Sequence, residues 1–258
     1  MQSAADSSYN SLQVGLTKRF SYGLQFLASY TYSHSLDDFS GDPTGTSDVV
    51  VVPGNEAVLH NYASSDFDHR HRLVFSGIYD LPKFYKGDSH FARQAMNGWE
   101  LATVIVAQSG TPFSVLSNAT AFEQARADLI AGCNPTRSGS VNSRLNGYFN
   151  TACFTSAPFM VGDFGDTGRN ILRGPAQQNV DISIIKNFTI TERTKLEFRS
   201  EFFNAFNTVS FANPITLPAP PPGLPPPPPG TPPSTPFGQI VATTTGPRVI
   251  QFAAKLNF

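Results

Sequence analysis

Apolar and polar residues alternate along several stretches of the chain. Leu12, Val14, Leu16 and Phe20 share one parity, and Gln13, Gly15, Thr17 and Arg19 share the other. Strict alternation marks a β-strand with two unlike faces, because successive side chains leave a pleated backbone on opposite sides. After a break at Ser21–Gly23, Phe26, Ala28, Tyr30 and Tyr32 alternate with Gln25, Ser29 and Thr31. The two runs predict a hairpin with one apolar and one polar face.

The pattern recurs five times. Leu73, Phe75, Gly77 and Tyr79 predict a third strand, and Trp99–Gln108 a fourth with weaker alternation. Val180, Ile182, Ile184, Lys186 and Phe188 alternate with Asp181, Ser183 and Asn187. Leu196, Phe198, Ser200 and Phe202 alternate with Lys195, Glu197, Arg199 and Glu201. Ile250, Phe252, Ala254, Leu256 and Phe258 alternate with Gln251, Ala253, Lys255 and Asn257. Seven strands of about 10–12 residues exceed the ~5–6 usual in soluble domains. They match the ~9–11 that a tilted strand needs to cross a bilayer. Length thus favours a membrane barrel over a soluble β-sandwich, which would share the Gly- and Pro-rich turns.

Connection lengths alternate as well. Tight joins at Ser21 and Thr189–Glu192 and a medium segment, Pro82–Asn97, fall between long loops at 35–68, 109–177 and 207–247. Transmembrane barrels have short periplasmic turns and long extracellular loops. The final strand then runs inward and ends at Phe258. The expected fold is all-β: an antiparallel up-and-down transmembrane β-barrel fragment, forming an open, curved sheet with poorly defined loops. The domain expected is one partial barrel over 1–258. The Pro-rich tract at 218–236 cannot join a sheet ladder, and a low-complexity loop insertion is preferred over a binding motif.

Composition agrees with a membrane surface. Only 14% of residues are charged, net charge is −1, and 22 Phe stand against one Trp. Near neutrality gives no electrostatic footprint for nucleic acid. No apolar run approaches the ~18 residues of a transmembrane helix, and the longest lies near Leu101–Ala107. The opening MQSAADSSYN lacks the basic and apolar regions of a secretory signal. An exported protein needs one, so the N-terminal part of the natural protein is expected to lie outside this sequence.

Chemistry-bearing clusters are sparse. Cys133 and Cys153 share one long polar segment. A disulfide is the reading if that segment faces an oxidising compartment, and two unpaired thiols otherwise. Asp68, His69, Arg70, His71 and Arg72 read as a polar strand start where basic groups meet lipopolysaccharide phosphates. His69 and His71 share a face but have no third metal ligand in sequence. Asp37 and Asp38 are adjacent, so on an extended chain they point apart and do not form a catalytic pair. The stretch Gly162–Gly168 holds too few carboxylates for a calcium loop. Glu197, Arg199 and Glu201 would face the lumen as a charge ladder. Tyr22, Tyr79, Phe84, Tyr85 and Phe188 suit an aromatic girdle at the periplasmic interface. No nucleophile elbow, P-loop or dinucleotide fingerprint occurs, so neither enzymatic activity nor a cofactor is expected.

Several stretches resemble the C-terminal barrel of TonB-dependent receptors, in particular the Oar-like group with a carboxypeptidase-regulatory-like domain. They are His69–Pro82, Asn97–Val115, Arg169–Asn207 and Gly246–Phe258. The resemblance implies about 22 strands around an N-terminal plug that contacts TonB. Neither plug nor TonB box is visible here, so any link to TonB would run through the plug region. It also implies uptake of a large or scarce nutrient across the bacterial outer membrane. The alternative is a structural or adhesive surface β-protein without a transport role. Gln251, Ala253, Leu256 and Phe258 resemble the terminal signal read by the barrel-assembly machinery, although Ala253 stands where Gly is usual and Leu256 where an aromatic is common. The implied partners are therefore that machinery and outer-membrane lipid.

Overall fold

The computed structural model describes residues 6–40, 61–117, 125–155, 165–191, 193–216 and 236–258. The Pro-rich positions 218–235 and Asp163 lie outside the described residues. Seven long strands form the architecture: β1 (Ser7–Ser21), β2 (Leu24–Asp37), β3 (His71–Asp80), β4 (Trp99–Gln108), β5 (Gln177–Thr189), β6 (Lys195–Phe203) and β7 (Val249–Asn257). Each pairs antiparallel with its sequence neighbours, so spatial order equals chain order. Ala63–Ser64 adds a short pairing to the end of β2. This is an all-β, up-and-down meander. The strands run from 9 to 15 residues, each enough to cross a bilayer when tilted.

Register joins the alternating patterns into two continuous faces. One ladder row runs Lys18–Phe26–Gly77–Thr103–Ile182–Phe202–Ile250 through all seven strands. The next row on the same face runs Leu16–Ala28–Phe75–Ile105–Val180. Phe26 stacks on Phe75 at 5.7 Å and Phe198 on Phe252 at 6.1 Å, aromatic pairs that stabilise adjoining strands. The opposite face carries Gln25, Ser76, Asp181, Ser183, Glu197 and Gln251. A one-residue slip anywhere would move apolar side chains onto this polar face, so the pattern itself fixes the register.

Phe20 departs from its expected face. Register shifts between Lys18 and Ser21, and Phe20 lines a groove on the polar side. An extra residue in one strand reverses the facing of whatever follows it. Tyr22 and Gly23 then close the hairpin, with φ of 52° and 77°. Positive φ at both central residues matches the twist of antiparallel strands. A Cβ on Gly23 would lie 2.6 Å from the Asp80 carbonyl oxygen, so the position requires glycine.

Short connections gather at one end. The β3–β4 connection is more than a simple link, since it contains a helix, α1 (His90–Met96), capped by the Ser89 hydroxyl. Long connections gather at the other end, which is extracellular by the barrel rule. There the expectation of poorly defined loops is incorrect for the described parts. Pro112–Phe113 pairs with Leu172–Arg173, Leu116–Ser117 with Ala125–Arg126, and Asp128–Leu129 with Phe154–Thr155. The last long connection joins them: the Tyr148 and Ile240 amides donate to Gly238 and Leu145 carbonyls at 2.8 and 2.9 Å. The two loops thus build one cap. Its core is Phe113, Val115, Ala127, Tyr148, Phe149, Leu172 and Ile240.

Candidate functional site

The extracellular end has two parts, a polar junction on the sheet and the apolar cap above it. The junction begins with Asp68, whose side chain is 1% exposed. Its carboxylate accepts from the Ser35 amide at 2.8 Å, from Arg70 Nε at 3.2 Å and from Arg173 Nη2. Arg173 also donates to the carbonyls of Asp68 and Gly110. Arg169 lies four residues earlier and donates to Asp37 and Asp66, both at 2.8 Å, and to the Ser40 hydroxyl at 2.6 Å. Three carboxylates therefore face three guanidiniums. Asp37, Asp68 and Arg169 are withdrawn from water and persist there because each is paired and hydrogen-bonded, while Arg70, Arg173 and Asp66 stay about a third exposed.

Local sequence explains the placement. Arg169 and Arg173 stand just before β5 on the second long loop, whereas Asp37, Asp66 and Asp68 flank the first. The network therefore ties two loops together at the rim of the sheet. The same crossing leaves no room at Gly110, where an added Cβ would collide with the Gly174 backbone. The Gly174 amide donates to the Thr111 carbonyl at 2.9 Å, which holds the segments in this contact.

Above the junction, Phe149 is 2% exposed and meets three rings. Phe237 and Phe154 approach edge-on at 5.2 and 5.6 Å, and Phe113 lies at 5.8 Å. Edge-to-face pairs add attraction beyond buried area. Cys133 and Cys153 are joined in a disulfide that closes the segment leading to Phe154. Burial pushes the Tyr148 phenol up, against the pull of Arg144, whose guanidinium lies 4.5 Å from the ring.

The polar face of the sheet forms an open groove of about 690 Å³, where Thr17, Gln25, Ser76, Asp181 and Ser183 stand among the apolar Leu27, Ile78, Val104 and Phe203. Arg199 pairs with Glu197 two residues away on this face. On the apolar face, Lys186 lies near the periplasmic end. Its Nζ reaches back to the Asn97 carbonyl and over the Phe188 ring at 4.7 Å. The aliphatic stem stays among apolar groups while the charge turns toward the interface.

The residues singled out by sequence separate into distinct settings. Asp68 is a buried hub, where sequence suggested a surface cluster at the lipid boundary. Asp37 pairs with Arg169, while Asp38 accepts from the Asp6 amide at 2.7 Å, so the two acids serve different partners. His69 Nδ1 meets the Ser109 carbonyl and His71 Nδ1 the Tyr30 hydroxyl, at 2.6 and 2.8 Å. No group of three metal-ligating side chains occurs among the described residues. Asp166 accepts from the Leu129 amide at 2.6 Å and so braces the cap. Tyr79 and Phe188 lie near the periplasmic ends of their strands. The Tyr85 backbone is bonded to the Asn97 side chain instead. Gln251 and Ala253 share the polar face, while Leu256 continues the apolar one and Phe258 is 92% exposed. Sequence reasoning missed Arg169 and Arg173, whose partners lie over 100 positions away. It also passed over Trp99, which donates to the Ala95 carbonyl at 3.0 Å and flanks Lys186.

A family model described as an outer membrane beta barrel domain matches residues 1–251. No curated protein and no solved structure matches the chain.

Proposed function

The chain belongs to the outer membrane beta barrel domain family and lies in the bacterial outer membrane, and on that premise we propose that it forms the C-terminal wall of a TonB-dependent transporter. The single observation that carries this reading is the pairing of a polar, grooved inner face with an ordered extracellular cap. The groove offers a plug amide, hydroxyl and carboxylate groups set among apolar side chains. The cap, assembled from two loops, offers a preformed surface for capture, which lowers the ordering cost of binding. In this reading the seven strands supply one sector of a larger closed barrel, since about 16–22 strands enclose a lumen of useful width. In this reading the chain has no enzymatic role, and its paired charged clusters brace loops. Its partners are outer-membrane lipid, the barrel-assembly machinery and, through a plug, TonB.

Mapping the complete reading frame is the direct test. In-frame sequence for a plug and an export signal upstream of Met1 supports transport, while a stop codon immediately upstream overturns it. A second reading, a structural or adhesive surface protein, is favoured by the cap's own hydrophobic core. Deleting residues 125–155 separates the two. Transport predicts loss of uptake in cells, whereas adhesion predicts loss of surface attachment with uptake unchanged.

A further inference from the structure

We propose that the extracellular end of the apolar face holds a specific site for an outer-leaflet glycolipid. The proposal rests on the lipid-facing assignment of that face and is independent of transport. A ladder row runs Tyr30–Leu73–Ala107–Gln178 across four strands. Its centre is the small residue Ala107, flanked by Leu73 and Gln178. The next position outward brings Ser109 beside His71, the Ser109 amide donating to the His71 carbonyl at 2.9 Å. Small residues between large ones leave a groove of about 430 Å³, a volume typical of ligand sites.

The groove is two-ended. Its floor, Leu73 and Ala107, continues the bilayer-facing surface, so an acyl chain enters it without leaving an apolar medium. Its outer end carries the His71 ring, the Gln178 amide and the Ser109 hydroxyl. The His71 ring is fixed: it lies 5.1 Å from the Tyr32 ring, and its Nδ1 meets the Tyr30 hydroxyl at 2.8 Å. Nε2 is then its remaining polar atom. Hydrogen-bonding groups around a flat aromatic wall suit the hydroxyl and amide groups of a saccharide headgroup. The outer-membrane setting and continuity with the lipid surface select a lipid over a soluble sugar as occupant.

The test is native mass spectrometry on the detergent-purified full-length protein, with lipid A and a phosphatidylethanolamine of matched acyl chains as probes. One lipid A per chain is expected to survive activation that strips the phospholipid. His71→Ala and Ala107→Trp should each cut lipid A retention about tenfold, equivalent to a tenfold change in dissociation constant. Phe252→Ala, on the same face but in β7, should leave it unchanged. Equal retention of both lipids, or wild-type retention by His71→Ala, overturns the proposal. Should Ala107→Trp fail to assemble, His71→Ala leaves the groove floor intact and decides the matter.

Discussion

In the sheet, Leu12, Leu16 and Phe252 are 61, 59 and 66% exposed, whereas in the cap Phe149 and Val115 are 2 and 0% exposed. Both regions are rich in apolar side chains, but it is the cap that packs them into a buried cluster within the chain. The sheet satisfies its backbone through continuous ladders and leaves its apolar face for lipid. The cap has strand pairs of only two residues, and so depends on packing, a disulfide and the ion-pair junction. A hydrophobic core located in loops and absent from the wall is what a bilayer permits. Where lipid covers one face, no second layer of protein is needed.

Breaking the link between the two regions should have the largest effect. Asp68→Ala removes the acceptor shared by Arg70, Arg173 and the Ser35 amide. Losing two charge-assisted bonds and the bond to a backbone amide together costs about 3–5 kcal/mol. Urea unfolding of protein refolded in detergent should show this loss, together with faster protease cleavage in both long loops. A loss below about 1 kcal/mol would mean that the network is superficial.

Phe149→Ala tests the cap alone. Truncating a buried Phe costs about 3–5 kcal/mol, because a cavity adds to the lost transfer energy. Proteolysis should cut between 125 and 155 while the sheet core stays intact on a gel. If wall and cap unfold together, the cap is an integral part of the barrel's folding unit and is not held by a core of its own.

These two regions were unequally legible in sequence. The sheet was readable because its signal is local: residues two apart share a face, and Trp99–Gln108 was delimited from alternation and length alone. Phe20 escaped because a bulge reverses parity without leaving a mark in composition. The cap was not readable, since two-residue pairs show no period and its core draws Phe113, Phe149 and Leu172 from distant points of one loop and Ile240 from another. Asp68 was noticed for its charged neighbours, but its partner Arg173 lies 105 positions away, beyond any periodic pattern. The cysteine pair was the one sequence feature that pointed to an ordered loop.

A smaller effect sharpens the assignment of faces. Ile105 and Val104 are adjacent near the middle of β4, and their partners are Val180 and Asp181. Ile105→Arg places a charge on the lipid face, at a cost of about 2–4 kcal/mol near the bilayer midplane. Val104→Arg points into the groove on the polar face, beside Asp181, and should cost little. Folding efficiency into vesicles, read by heat-modifiable gel migration, compares them directly. Equal penalties would contradict the two-faced sheet.

The smallest effect separates lipid burial from protein packing. Phe252→Ala makes the same chemical change as Phe149→Ala, but on a side chain that is 66% exposed within the chain. Lipid fills whatever space the ring leaves, so the cavity term disappears and only transfer remains. For the fraction that lipid covers, this amounts to about 1–2 kcal/mol, scaled from a fully buried side chain. The loss should appear in vesicles and vanish for unfolding measured between two membrane-bound states, since both keep the ring in hydrocarbon. Phe149→Ala should stay costly in either assay, because its ring is held by Phe113, Phe154 and Phe237 in the cap. Two identical substitutions that respond differently to the reference state would show that the wall is held by its solvent and the cap by its own side chains.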